Sequence, residues 1–177
     1  IFANWVSRLP RIQELYGADD GMIGLVLLSL SIGAVAAMPF TGWVIIKNGS
    51  RKITLYSALL YCAIVALIPV LPGLSSLFIL YFFMGIVTGV LDVAMNAQAI
   101  LVEQAYKKSI MTSFHALFSI GMMVGAGSAS LFTALGTDLT YHFLIVAGAS
   151  LLAVAWTSRN LVHDKPDPAH HTDVPLF

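Results

Sequence analysis

From Gly21 to Ile46 the chain runs for twenty-six residues without a charged side chain. At 1.5 Å per helical residue that is about 39 Å, enough to cross a hydrocarbon layer of roughly 30 Å with some tilt. Further apolar runs follow at 53–71, 74–102, 109–136 and 142–158, and no Lys or Arg falls inside any of the five. Only 10% of the 177 residues are charged and 58% are hydrophobic, whereas a soluble domain carries about 25% charge. That is too little charge to coat a surface facing water, so lipid is the solvent for most of this chain. The fold class expected is all-α, a polytopic membrane helix bundle.

The segments between the runs are short and polar. Ile1–Val6 reads as the last turns of a helix that began upstream, so the chain is expected to be truncated at its front, as a fragment. Trp5 beside Arg8 suits a membrane interface, where amphipathic rings and cations anchor. Residues 11–20 are polar, and Asp19 and Asp20 offer an N-cap and negative charge to the first full span. Asn48-Gly49 marks a tight turn in the basic stretch 47–52, and Pro72-Gly73 separates the next two spans. Five full spans plus the end of an earlier one put 47–52, 103–108 and the tail on one side. That side holds Lys47, Arg51, Lys52, Lys107, Lys108, Arg159 and Lys165, and the other holds Arg8 and Arg11. Seven cations against two is a positive-inside asymmetry. These loops and the tail are therefore expected in the cytoplasm, and the protein in the inner (plasma) membrane. Residues 1–162 form the expected domain. Residues 163–177, rich in Pro, Asp and His without an apolar period, are expected to be a disordered cytoplasmic segment.

The run that ends at Val102 carries polar groups where lipid penalises them. On a helix, Gly85, Gly89, Asp92, Asn96, Ala99 and Glu103 fall within about an 80° arc. Small residues there let a neighbouring helix approach, and the polar ones then face protein or water. Asn96 lies seven residues before Glu103 and His115 seven after Lys108, so both sit about 10 Å in from the same side on consecutive antiparallel helices. Asp92 is about 16 Å in from Glu103. Asp92, Asn96 and His115 can thus line one cavity if their helices turn the right faces together. A carboxyl in apolar surroundings favours its neutral form, so a proton taken up there can be linked to conformation or ligand. An imidazole titrates near neutrality, and an asparagine offers two donors and an acceptor to a polar solute. On the His115 helix, Gly121, Gly125 and Ser128 look like a packing surface.

Other chemistries find no support. Net charge is zero, which gives no reason to expect nucleic acid as a partner. The single cysteine, Cys62, excludes an intrachain disulfide and reads as a small packing residue. HExxH, CxxC, GxxxxGK[ST] and GxSxG are missing from the sequence. An intramembrane aspartyl protease needs a second membrane aspartate beside Asp92, so the chain is not expected to be an enzyme. The tail histidines His163, His170 and His171 read as solvated, and no metal or cofactor is expected.

The basic stretch GWVIIKNGSRK resembles the loop signature G-x-x-x-D-R-x-G-R-R that joins the second and third helices of the major facilitator superfamily. Gly42, Lys47, Gly49 and Arg51 carry the resemblance. Ile46 stands where the signature has Asp, and Ser50 where it has the second-last Arg. Finer likeness comes from W-V-S-R-L-P at Trp5–Pro10, D-V-A-M-N-A-Q at Asp92–Gln98 and S-F-H-A-L-F-S-I-G at Ser113–Gly121. Together these resemble the fucose-permease-like branch of sugar and metabolite symporters. The likeness covers Trp5 to about Val162 and implies the amino-terminal half of a twelve-helix fold, with a carboxy-terminal six-helix half to complete it. In that branch an acidic residue on the fourth helix is implicated in proton coupling, and Asp92 stands on the corresponding helix.

The expectation is therefore a secondary active transporter that moves a small polar solute, such as a sugar or metabolite, by alternating access coupled to protons. Asp92 carries the proton in this reading, Asn96 and His115 bind solute or relay, and Gly42, Lys47, Gly49 and Arg51 shape a cytoplasmic gate loop. Glu103 is expected to pair with a loop cation such as Arg51. The alternatives are a drug or metabolite efflux pump of the same fold and a membrane scaffold or sensor without transport.

Overall fold

The computed structural model describes residues 1–164. Its helices are α1 (Phe2–Ser7), α2 (Leu9–Tyr16), α3 (Asp20–Asn48), α4 (Ser50–Leu67), α5 (Gly73–Tyr106), α6 (Met111–Ala134) and α7 (Leu139–Thr157). The last five are long and apolar enough to cross a membrane. Helices suit that solvent because each backbone N–H and C=O is bonded within its own segment. Among the described residues there is no strand. The fold is the all-α bundle that the apolar runs predict, with the five spans near their expected bounds.

Local signals start and stop these helices. The Asp19 carboxylate accepts from the Met22 amide at 2.7 Å, and Asp138 accepts from the Thr140 amide at 2.8 Å, so each caps the span that follows it. Gly49, with φ at +84°, is the single residue between α3 and α4. The basic stretch 47–52 is thus two helix ends meeting at one glycine. Residues 11–20 are more ordered than their polarity suggests. Pro10 sits in the first turn of α2, Ile12 on its inner face is fully buried, and left-handed Gly17 ends it. The single proton of the Tyr16 hydroxyl is then shared between the carbonyls of Ile68 at 2.5 Å and Leu71 at 3.0 Å.

The main packing seam joins α3 to α5, and small residues on both sides make it close. Gly33, Ala37 and Thr41 are buried along α3. A Cβ on Gly33 would stand 2.1 Å from the Phe82 carbonyl oxygen, so the backbones touch there. Gly125 and Ser128 of α6 do pack, against Ala3 and Asn4 of α1, whereas a Cβ at Gly121 would meet no neighbouring element within 4 Å. The apolar core gathers at the α2 end and includes Ile12, Val26, Ile68, Leu77, Tyr81, Met84 and Phe143. Cys62 is buried, in keeping with a packing role.

Trp5 and Arg8 do not anchor a lipid interface. Trp5 is 3% exposed, donates through Nε1 to the Tyr61 hydroxyl at 2.9 Å and meets Tyr81 edge to face. Arg8 is also buried, and its guanidinium donates to Thr133 Oγ1 at 2.8 Å and the Thr137 carbonyl at 3.0 Å. Both side chains face inward because the start of the chain is enclosed by α4, α5 and α6. The broadly exposed apolar side chains are others, Phe40, Leu152 and Trp156 among them.

Beyond α7 the chain does not leave the bundle at Arg159. A short 3₁₀ turn, Ser158–Asn160, leads into a strap that lies across the starts of α4 and the later turns of α5. His163 and Asp164 belong to this strap, while the remainder of the tail expected to be disordered, including His170 and His171, lies outside the described residues.

Candidate functional site

The three polar residues singled out on the third and fourth apolar runs converge. Asp92 and Asn96 of α5 and His115 of α6 line one cavity of about 660 Å³ near the end of the bundle that bears Lys47, Arg51, Lys107 and Lys108, called here the basic end. Its remaining wall comes from Met95, Ala99 and Val102 of α5, Phe114 and Phe118 of α6, Thr54 of α4, and Asn160 and Leu161 of the strap. Apolar surface with a few convergent polar groups is the usual make-up of a small-molecule pocket.

One arc of α5 does two jobs along its length. At Gly85 and Gly89 it takes the backbone of α3, with Leu30 and Ala34 in contact distance. One turn further on, the same arc presents Asp92 and then Asn96 to the cavity. Asp92 lies about 21 Å from the α5 terminus at Tyr106, deep within a helix that is longer than the hydrocarbon layer. Asn96 Nδ2 donates to the backbone carbonyl of Asp92 at 2.8 Å, which leaves its side-chain carbonyl available to a ligand. Among the described residues, neither the Asp92 carboxylate nor the His115 ring has a hydrogen-bond partner. Both side chains are exposed to the hollow and are not held in a dry packing contact.

The loop signature residues sit together at the basic end, but each has a different task. Gly49 supplies the positive φ. Lys47 places its ammonium 5.2 Å over the Trp43 ring, a cation–π contact. Gly42 has open space where a Cβ would be. Arg51 turns to the strap, donating to the Ser158 carbonyl at 3.3 Å and meeting His163 Nδ1 at 2.8 Å. It does not pair with Glu103. That carboxylate reaches across the α5–α6 turn, accepts from the amides of Ile110 at 2.6 Å and Met111 at 2.7 Å, and so steadies the start of α6. The free amides of a helix N-terminus are good partners for a carboxylate, and the Arg51 guanidinium is taken up by Ser158 and His163.

A second polar cluster escaped the sequence reading. Asn4 of α1 accepts from Ser128 Oγ at 3.1 Å, and its Oδ1 stands 3.0 Å from His142 Nε2. His142 is completely buried and stacks on Phe132 with 4.3 Å between ring centroids. The available signal was weak: a histidine in the first turn of a span, with an asparagine in a helix fragment 138 residues away. Gln98, which joins α5 to the strap, was likewise noted only as part of a motif.

Closely packed apolar helices, five of them long enough to cross a membrane, define a polytopic, multi-pass membrane protein. The sequence narrows this further. Residues 3–176 match the Major Facilitator Superfamily, and the chain belongs to that superfamily. It is 32% identical over 175 residues to an uncharacterized MFS-type transporter of Yersinia pestis, covering 99% of this chain and 45% of the relative. An uncharacterized transporter of Sinorhizobium fredii is 30% identical over 170 residues, covering 93% of this chain and 45% of its own. The membrane protein MosC of Rhizobium meliloti is 30% identical over 125 residues, or 71% of this chain and 31% of its own. The chain thus spans less than half the length of these curated relatives. No solved structure matches it significantly.

Proposed function

We propose that this chain forms the amino-terminal half of a secondary transporter of the inner membrane, with its basic end in the cytoplasm. The transporter moves a small polar solute such as a sugar or metabolite, and a proton moves with it. The observation that carries this reading is the meeting of Asp92, Asn96 and His115 on one cavity within a superfamily whose matched relatives include proteins named as transporters. Asp92 is the proton carrier: among the described residues its carboxyl has no fixed partner, so it is free to respond to solute or conformation. Asn96 and His115 supply the donors and acceptors that hold the solute, and Phe114 and Phe118 give it an apolar wall. The likeness of Asp92–Gln98 and Ser113–Gly121 to the fucose-permease-like branch supports a sugar-sized solute. The complete protein places the cavity between two halves that rock to expose it on either side.

Uptake of labelled hexoses and deoxyhexoses by proteoliposomes containing the complete protein tests this. With a proton gradient the parent accumulates solute, while Asp92→Asn loses accumulation and keeps solute exchange. Gradient-driven accumulation that survives in Asp92→Asn removes Asp92 from the coupling role.

A further inference from the structure

The strap beyond α7 is held by an unusual set of bonds. Gln98 meets it in both directions: Nε2 donates to the Val162 carbonyl at 3.0 Å, and the Val162 amide donates to Oε1 at 2.9 Å. This is the pairing that a neighbouring strand would offer, made here by a side chain. The same Nε2 donates to Ser50 Oγ at 2.6 Å, and Gln98 is 5% exposed. One amide therefore ties α5, the first residue of α4 and the strap together. Two residues on, the Asp164 carboxylate accepts from the amides of Ser50 and Arg51, capping α4, whose own N-terminus has no side-chain cap. Gly49 leaves room for this, since a Cβ there would stand 3.0 Å from Asp164 Oδ1. Just before these anchors, Asn160 and Leu161 complete the wall of the Asp92 cavity.

We propose that Gln98 is a positioning residue that latches the strap, so that Asn160 and Leu161 close the Asp92 cavity at the basic end. The functional meaning of that closure rests on reading the cavity as a solute path. The chemistry suits a part that must open and close. A neutral amide pair at the watery end of a bundle exchanges its bonds for water at modest cost, whereas breaking a buried ion pair would strand a charge. Gln98 lies about 1.7 turns past Asp92 on the same helix, so a shift of α5 around a bound solute moves the latch directly.

Cysteine accessibility in the full-length protein tests this without requiring transport. In a background lacking other cysteines, Cys62→Ala included, Met95→Cys reports from the cavity wall. Its labelling by a membrane-impermeant maleimide is measured in inside-out and in right-side-out vesicles. Gln98→Leu raises the labelling rate several-fold from the side of the basic end only. Gln98→Glu, which keeps an acceptor for the Val162 amide, gives a smaller rise. Val162→Pro leaves Gln98 intact and removes only the opposing donor, and it gives a rise smaller than that of Gln98→Leu. Leu161 is already extended at φ −66° and ψ 133°, which a following proline tolerates. Rates equal to the parent in both Gln98→Leu and Val162→Pro overturn the latch. An altered rate beside coupling that survives Asp92→Asn keeps the latch and ends the proton assignment.

Discussion

Gly85 of α5 is pressed against Leu30 of α3 so closely that a Cβ would stand 1.9 Å from the Leu30 carbonyl oxygen. The obstacle is backbone, which no rotamer change removes. Gly85→Ala therefore pushes the two helices apart, at a cost of about 1–3 kcal/mol for overpacking. Gly148→Ala is the control, because a Cβ there would meet no neighbouring element within 4 Å. It is neutral or stabilising, since alanine is favoured over glycine in a helix interior by about 0.5–1 kcal/mol. Thermal unfolding in detergent should lower the midpoint for the first variant and not for the second.

The link from Arg8 to the α6–α7 turn makes a second prediction. Arg8 bonds Thr133 and Thr137 with two separate nitrogens, and among the described residues no carboxylate lies within salt-bridge distance of it. Hydrogen bonds from a charged group contribute about 1.5–3 kcal/mol each. Arg8→Leu removes both and leaves the acceptors unpaired, while Thr133→Val removes one. Arg8→Lys recovers little, because a single ammonium lacks the planar fork that reaches two acceptors. The order of detergent unfolding midpoints should be parent, Thr133→Val, Arg8→Lys, Arg8→Leu.

Arg8 also marks where the sequence stops being legible. The five spans were readable because apolar length in lipid leaves the chain few choices, and Asp92, Asn96 and His115 could be placed by counting from the loop charges. The inward turn of Trp5 and Arg8 was not readable, since an aromatic beside a cation looks the same at an interface and in a core. The difference lies in partners far along the chain, Tyr61 for one and Thr133 for the other. The same holds for Gln98, whose partner Val162 is 64 residues away. The helix at Leu9–Tyr16 did leave a local trace, in the i, i+3, i+7 spacing of Leu9, Ile12 and Tyr16 behind a proline start.

Asp138 supplies a pH prediction outside the spans. The Thr140 amide, with further help from the Thr140 side chain, holds its carboxyl below the usual carboxylate range. A group with a lowered folded value stabilises the fold above its unfolded value and loses that contribution as pH falls through the folded one. Asp138→Asn keeps a capping side chain but not the charge at the start of α7. Parent and variant should differ in unfolding midpoint at neutral pH, and the difference should vanish in acid. A gap that is constant across the carboxylate range contradicts the capping role of the charge.

His115 separates stability from function. Its ring is exposed to the cavity and has no hydrogen-bond partner among the described residues, so the fold does not depend on it. His115→Ala should therefore leave the unfolding midpoint within the small range typical of surface changes, about 0.5 kcal/mol. A solute that bonds the imidazole loses that bond in the variant, worth about 0.5–1.5 kcal/mol, or roughly 2–10-fold in affinity. The loss should appear as a raised KM for uptake with proton coupling retained, which is the opposite of the pattern set by Asp92→Asn. If His115→Ala instead lowers the midpoint by several degrees and leaves KM unchanged, the ring belongs to the packing of the complete protein and not to its solute path.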